Sequence, residues 1–147
     1  MVFDNNLTLI NGVVMVQATA GTYAVPVLTT ENATSKAKVI DLGASILTGS
    51  PEGTGVNGVS VALICTTSAT SGNLVAYIQA SDSYSVWTSA VTIGTFEDGS
   101  IASTEAPFSF VIRVQTEMRY IRANLTPDAG TWTTIWVVVG THHLERL

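Results

Sequence analysis

Two groups of residues in this 147-residue sequence have a spacing that could support cofactor or metal chemistry. Gly53, Gly55 and Gly58 match a dinucleotide-binding loop, but such a loop follows a strand and begins a helix. Here a loop precedes the glycines and a predicted strand follows them. His142 and His143 are adjacent, so in an extended chain they point to opposite sides and could not hold one metal ion together. We therefore predict neither a cofactor nor a metal site.

The remaining reactive side chains are one thiol and scattered carboxylates. Cys65 is the single cysteine and lies in the apolar phase of a predicted strand, so we expect it to be a small buried hydrophobe. The carboxylates at predicted strand ends and turns are Asp41, Asp82, Glu97, Asp98 and Asp128. Aspartate is favoured there because its side chain bonds local amides, although the fold could bring two carboxylates together or form a calcium-binding loop. We predict that the protein is not an enzyme.

The composition favours a β-sheet protein that binds other proteins. Only 12% of the residues are charged, the formal net charge is −5 and the mean hydropathy is +0.37. Six basic residues spread along the chain form no stripe that could neutralise phosphates, so nucleic-acid binding is not expected. No apolar run is long enough to span a membrane, and the first residues do not resemble a signal peptide, so we expect synthesis and use in a cytoplasm.

Alternating apolar and polar residues predict a series of short strands joined by polar turns. The predicted strands are Val13–Ala18, Tyr23–Leu28, Lys38–Leu42, Val59–Thr66, Asn73–Ala80, Val91–Phe96, Phe108–Gln115, Arg119–Leu125 and Thr131–Gly140. We interpret the strands on either side of the polar turn at residues 67–72 as an antiparallel hairpin. We likewise expect Arg119–Leu125 and Thr131–Gly140 to form a strand pair joined by the turn Pro127-Asp-Ala-Gly130. A Gly-rich and Ser-rich loop joins Gly43 to Gly58, and no segment has the period of an amphipathic helix.

The last predicted strand is apolar on both faces. Strict alternation places Ile135, Val137 and Val139 on one face and Trp132, Trp136 and Val138 on the other. A strand in a lone half-buried sheet would have one polar face, so a second sheet or a second subunit must cover the other face.

These strands predict an all-β fold, a single-domain two-sheet β-sandwich of the jelly-roll type. The length is sufficient for one core without metals or disulfides. We expect Phe108, Phe110, Ile121 and Ile135 to be large contributors to that core. Residues 1–12 are a candidate N-terminal arm, and residues 141–147 form a short C-terminal tail.

Several segments, in their order along the chain, resemble the jelly-roll capsid cement proteins of tailed bacteriophages. The likeness covers roughly residues 38 to 140 and depends on Lys38-Val-Ile-Asp-Leu-Gly-Ala44, Val59-Ser-Val-Ala-Leu-Ile-Cys65, Val75-Ala-Tyr-Ile-Gln-Ala-Ser-Asp82, Val91-Thr-Ile93 and Arg119-Tyr-Ile-Arg-Ala-Asn-Leu-Thr126. It contains no catalytic signature.

The resemblance implies a homotrimeric decoration protein on the outside of the virion. Such a protein binds the major capsid protein, bridges neighbouring subunits and stabilises the expanded head. We expect the segment from Phe3 to Met15, the Gly43–Gly58 loop and the face that carries Trp132 and Trp136 to share the contacts with the capsid and with other copies. The residues predicted at these interfaces are Phe3, Asn5, Leu7, Leu9, Trp132, Trp136, Arg119 and Arg122.

Two alternatives remain open. In a ligand-binding or glycan-binding β-sandwich, such as the head of a viral fibre, exposed Trp and Tyr rings would stack on sugars. An enzyme would need two of the scattered carboxylates in one pocket. Fold alone does not separate a cement protein from a fibre head.

Overall fold

The computed structural model describes residues 8–19, 22–23, 39–41 and 58–140, and these form two antiparallel sheets packed face to face. The strands are β1 Thr8–Thr19, β2 Thr22–Tyr23, β3 Ile40–Asp41, β4 Val59–Cys65, β5 Asn73–Ser81, β6 Val91–Thr95, β7 Ile101–Ala102, β8 Phe108–Val114, β9 Tyr120–Pro127 and β10 Gly130–Gly140. Single 3-10 turns occupy Glu97–Gly99 and Ser103–Glu105. No helix in these ranges is long and apolar enough to cross a membrane.

The strand order is that of a jelly roll, which confirms the predicted fold. Sheet A has the order β2-β1-β10-β4-β8, and sheet B has the order β3-β9-β5-β6 with β7 paired to β5. Apart from the short β2 and β7, consecutive strands alternate between the sheets, and only β5 and β6 are neighbours in both sequence and space. Because of this alternation, most strands that are neighbours in a sheet come from segments far apart in the sequence.

Two predicted strand pairings are wrong. β4 and β5 do not form a hairpin, because β4 pairs with β8 and β10 in sheet A while β5 pairs with β6 and β9 in sheet B. The final two strands, β9 and β10, are likewise in opposite sheets. Alternation gives the phase of a strand but not its partner, and a short turn can cross between sheets as readily as it reverses within one.

The core lies between the sheets and is almost entirely aliphatic. Ile121 and Ile135 are fully buried, as predicted, while Phe108 and Phe110 are half-buried and pack against the core. Cys65 is buried, as predicted, and its Sγ lies 3.0 Å from the carbonyl oxygen of Thr67, to which it donates. Burial raises the pKa of this thiol, so little thiolate forms near neutral pH.

Residues 8–12 belong to the sandwich and do not form a separate arm. They are part of β1, which pairs with β10 from Thr8 opposite Val138 to Gln17 opposite Gly130. The remainder of the predicted arm, the Gly43–Gly58 loop before its last residue and the predicted C-terminal tail lie outside the described residues. So do residues 24–28 of the predicted second strand.

A carboxylate clamps the crossing between β9 and β10 to the start of β5. Asp128 accepts hydrogen bonds from the backbone N–H and the side-chain amide of Asn73, and its own N–H donates to the Asn73 carbonyl oxygen at 2.9 Å. The two bonds from Asn73 hold the pKa of Asp128 below its ordinary value of 3.8. This geometry confirms that Asp128 serves a turn.

We expect Asp128→Ala to lower the free energy of unfolding by about 1 kcal/mol near neutral pH, because two hydrogen bonds are lost at an exposed site. Because its pKa is lower in the folded than in the unfolded protein, Asp128 contributes its full stabilisation at pH values above its ordinary pKa. This contribution is lost as the pH falls through the pKa of the folded state. Urea unfolding at about pH 6 and at about pH 3 should therefore show a difference between the two proteins that shrinks in acid. An equal difference at both values would contradict the assignment.

Candidate protein-binding site

A bulge in β10 separates the two tryptophans that alternation had placed on one face. Met15 pairs with Trp132 and Val13 pairs with Ile135, so three steps along β10 match two along β1. Thr134 lies in this bulge and has a positive φ of 57°. A single added residue switches every later side chain to the opposite face. The prediction of one shared Trp132 and Trp136 face is therefore wrong.

Trp132 and Leu9, both predicted at an interface, are instead core residues with no exposed surface. The Trp132 ring meets Phe108 edge-on, with centroids 6.4 Å apart, and its Nε1–H donates to the carbonyl oxygen of Ala129 at 3.2 Å. Residues in this position stabilise the sandwich and cannot contact another protein. Phe3, Asn5 and Leu7 lie outside the described residues.

Trp136 lies on the outer face of sheet A. Its ring covers Gly12 on β1, where a Cβ atom would come within 2.8 Å of the ring, and Gly12 has a φ of +58°. Glycine is required there by both the backbone conformation and the close approach. Beside Trp136 the outer face carries other apolar side chains of β4, β8 and β10, namely Ala62, Ile64, Val111 and Val138.

The two predicted arginines meet aromatic rings on the outer side of sheet B. We define the aromatic–arginine cluster as Tyr84, Trp87, Arg119, Tyr120 and Arg122. Tyr84 and Trp87 lie in the connection between β5 and β6, Arg119 immediately precedes β9, and the other two are on β9. The pairing of Ser81 with Tyr120 and of Gln79 with Arg122 brings these segments to one end of the sheet.

Arg122 is the buried centre of the cluster, with 8% of its surface exposed. Its Nε and Nη2 atoms donate to Oε1 of Gln79 at 2.9 and 2.8 Å, and its Cζ lies 4.2 Å from the centroid of the Trp87 ring. Desolvation lowers the pKa of this guanidinium, with a smaller opposing effect from Tyr77, but an arginine stays charged at neutral pH. The stacked guanidinium fixes the plane of the indole ring.

Hydrogen bonds also fix the connection that carries Tyr84 and Trp87. The Ser81 hydroxyl donates to the carbonyl oxygen of Val86 at 2.9 Å and accepts from the N–H of Ser83 at 3.1 Å. The Trp87 Nε1–H donates to the carbonyl oxygen of Tyr84 at 2.9 Å. A connection held by these bonds presents its side chains in one arrangement, which reduces the entropy lost when a partner binds.

Apolar side chains are exposed in the connection and at the start of β6. Five large hydrophobic side chains are exposed in the described part of the chain, and three of them are Tyr84, Val86 and Val91, each about half exposed. Tyr84 meets Tyr120 edge-on at 5.8 Å. An exposed group of apolar side chains bordered by polar residues marks a surface that binds another molecule.

Arg119 joins the cluster to β3 through an ion pair. Its Nε and Nη2 atoms each donate to an oxygen of Asp41 at 2.9 Å, and its Cζ lies 5.1 Å from the centroid of the Tyr120 ring. The Asp41 carboxylate raises the pKa of Arg119.

The cluster has the composition of a protein-binding hot spot. Tyr, Trp and Arg are the residue types whose truncation costs most at protein interfaces, because they combine large apolar area with hydrogen bonding. Within the described ranges, no three His, Cys, Asp or Glu side chains come together as metal ligands. The arrangement supports stacking, apolar contact and donation to carboxylates or carbonyls.

Sequence reasoning identified Arg119 and Arg122 but missed Tyr84, Trp87 and Tyr120 as their neighbours. The available signal was the presence of Tyr84, Val86 and Trp87 between two strands, where polar turn residues are expected. The spatial link could not be predicted, because it depends on β9 pairing with β5 across about forty residues of sequence.

Comparison of the sequence with models of protein families gave no match, and comparison with curated proteins gave none either.

Proposed function

We propose that the protein is a non-enzymatic structural protein of a phage virion that acts by binding the outside of the capsid. Three copies form a trimer that bridges neighbouring major capsid protein subunits and stabilises the expanded head. The chain is made in the host cytoplasm and ends on the virion exterior. The jelly-roll topology supports the proposal, because this architecture is common in viral capsid proteins. So does the low fraction of charged residues.

The observation that carries the proposal is the exposed and pre-ordered aromatic–arginine cluster. A catalytic site needs reactive groups in a recess, whereas this site presents the exposed Tyr84 ring and the exposed Arg119 guanidinium. Its hydrogen bonds hold the same arrangement before binding, so little order has to be gained on the capsid.

Capsid stabilisation then follows from linkage alone. A protein that binds the assembled shell but not dissociated subunits lowers the free energy of the shell. Three sites on one trimer act together, because the first contact raises the local concentration of the other two. No covalent step is required.

The test is binding to expanded capsids of the phage that encodes the protein, prepared without it. We expect Tyr84→Ala to weaken binding about 30-fold, because a central aromatic hot spot is worth about 2 kcal/mol. Co-sedimentation at graded protein concentrations gives the dissociation constant.

Tyr84→Phe keeps the ring and should retain most of the affinity. Ile64→Ala removes a partly exposed apolar side chain from the outer face of sheet A and should leave binding unchanged. Wild-type affinity in Tyr84→Ala would exclude the cluster as the capsid-binding surface, and failure of the wild-type protein to bind would exclude the function.

A glycan-binding module is the second candidate, favoured by the exposed Tyr84 ring beside Trp87. Aromatic rings of this kind stack on the apolar faces of sugars, and Gln79 and Ser81 supply nearby polar groups. A glycan array distinguishes the two: binding that disappears in Tyr84→Ala would support this candidate, and an array without binding would exclude it.

A further inference from the structure

One edge of sheet A is formed by β8, and within the described residues this edge has no bulge, no proline and no neighbouring strand that would keep it from pairing. β8 pairs with β4 on one side, and none of the described residues pairs with it on the other. All seven of its residues are in continuous register with β4, so no bulge interrupts the strand. It contains no proline and a single charged side chain, Arg113. Natural sheets protect an edge with bulges, prolines, charges or a covering segment.

The side chains of β8 are also incompletely covered. Phe108, Phe110 and Ile112 point toward the core but are only half-buried, and the two phenylalanine rings stack with centroids 4.9 Å apart. On the outer face Val111 is 45% exposed. Another strand beside β8 would cover both sets of side chains and satisfy the backbone groups at the edge.

Sheet B approaches the same edge without covering it. At Gly94 on β6, an added Cβ atom would lie 2.6 Å from Cγ1 of Val114 and 2.7 Å from Cδ1 of Ile112. This close approach closes the sandwich at one end of β8. The phenylalanine end lies further from that contact, and the backbone edge of β8 faces away from β4.

We propose that β8 pairs with β8 of a second copy of this chain in an antiparallel arrangement centred on Val111. This interface goes beyond the proposed function, because it joins two copies through a surface other than the aromatic–arginine cluster. Sheet A of each copy then continues into the other. Backbone hydrogen bonds along the strands provide the interaction, as in other cases of strand addition.

The sequence of β8 is self-complementary in this register. A two-fold axis at Val111 places Val111 opposite its own copy and Ser109 opposite Arg113. The only charged side chain therefore faces a small polar one, and two like charges do not oppose each other. On the core side, Phe110 faces Ile112 and Phe108 faces Val114, so every pair on that side is apolar.

The first test is native mass spectrometry of the purified protein at micromolar concentration. Two-fold pairing predicts species with an even number of chains, beginning at twice the 15.4 kDa chain mass, or six chains if trimers also form. Val111→Lys places two like charges at the axis and should weaken the pairing at least about tenfold. Val91→Lys makes the same change at a site of similar exposure, 48%, on β6 in sheet B and should leave the mass distribution unchanged.

A cysteine scan tests the register itself, in a Cys65→Ser background. Cα atoms directly opposite each other in an antiparallel pair are about 4.5–5.5 Å apart, within the range for a disulfide. Val111→Cys should therefore form a covalent dimer by itself, whereas Ser109→Cys should form one only when mixed with Arg113→Cys. A wild-type protein that is monomeric or purely trimeric, equal effects of the two lysine variants, or crosslinking of Ser109→Cys with itself would each overturn the proposal.

Discussion

Replacing Trp132 with alanine is expected to lower the free energy of unfolding by about 3–5 kcal/mol, the largest loss for any single truncation considered. The ring has no exposed surface and contacts Phe108. Trp136→Ala should lose less than half as much, because that ring lies on the outer face over Gly12. Urea unfolding followed by far-UV circular dichroism measures both changes without depending on tryptophan fluorescence.

Where Trp132→Ala does not fold, Trp132→Phe keeps part of the ring volume and gives a smaller loss that can still be measured. Comparison with Trp136→Phe then provides the matched pair. Equal losses at the two positions would contradict the bulge at Thr134, because strict alternation would give both rings the same environment.

Replacing Arg122 with alanine is expected to lower the free energy of unfolding by about 2–3 kcal/mol. The change leaves Oε1 of the half-buried Gln79 without two donors and removes the cation that stacks on Trp87. The indole ring should then become mobile. The measurement is quenching of the tryptophan fluorescence in a variant that keeps Trp132 and Trp136. Stronger quenching than in the wild-type protein reports the increased exposure of Trp87.

Arg119→Ala is the matched control, since it removes an arginine from the same cluster. Arg119 is exposed and pairs with an exposed carboxylate, so its removal should change stability much less. Arg122→Lys should not restore stability. The lysine ammonium group cannot donate two hydrogen bonds to Oε1 of Gln79 from a rigid planar group, and it has no flat surface to stack on the Trp87 ring. Full stability in Arg122→Lys would contradict the role assigned to the guanidinium.

The variants Trp132→Ala and Arg122→Ala affect folding and binding differently. Trp132 supports the sandwich and is remote from the proposed capsid contact, whereas Arg122 orders Trp87 within that contact. A folded Arg122 variant should therefore bind capsids more weakly than its remaining stability would suggest, because a disordered ring has to be fixed on binding.

The sequence was sufficient for most strands but not for their partners. The bounds predicted for β4, β5, β6 and β8 agree with the structure to within one residue, because alternation is clean in those segments. The pairings of β4 with β5 and of β9 with β10 were wrong, since both turns cross between sheets. Periodicity is a local property, whereas the sheet to which a strand belongs depends on contacts remote in sequence.

The faces of β10 failed for a different reason. Glycine or asparagine at position 134 would have indicated a positive φ, but the residue is a threonine. Nothing in the sequence therefore showed where the alternation of β10 changes phase. Only part of the candidate site was predicted, because the sequence does not show contacts between segments that are remote along the chain. Arg119 and Arg122 were predicted from the sequence as interface residues, but Trp87 reaches Arg122 only because of how the β5–β6 connection folds against sheet B.

The measurement that tests the central claim most directly is hydrogen exchange of the protein in the free state and on expanded capsids. The account predicts slower exchange on the capsid at residues 82–91 and 118–122, which contain the aromatic–arginine cluster, with little change along β10. No binding to capsids, or protection confined to other segments, would contradict it.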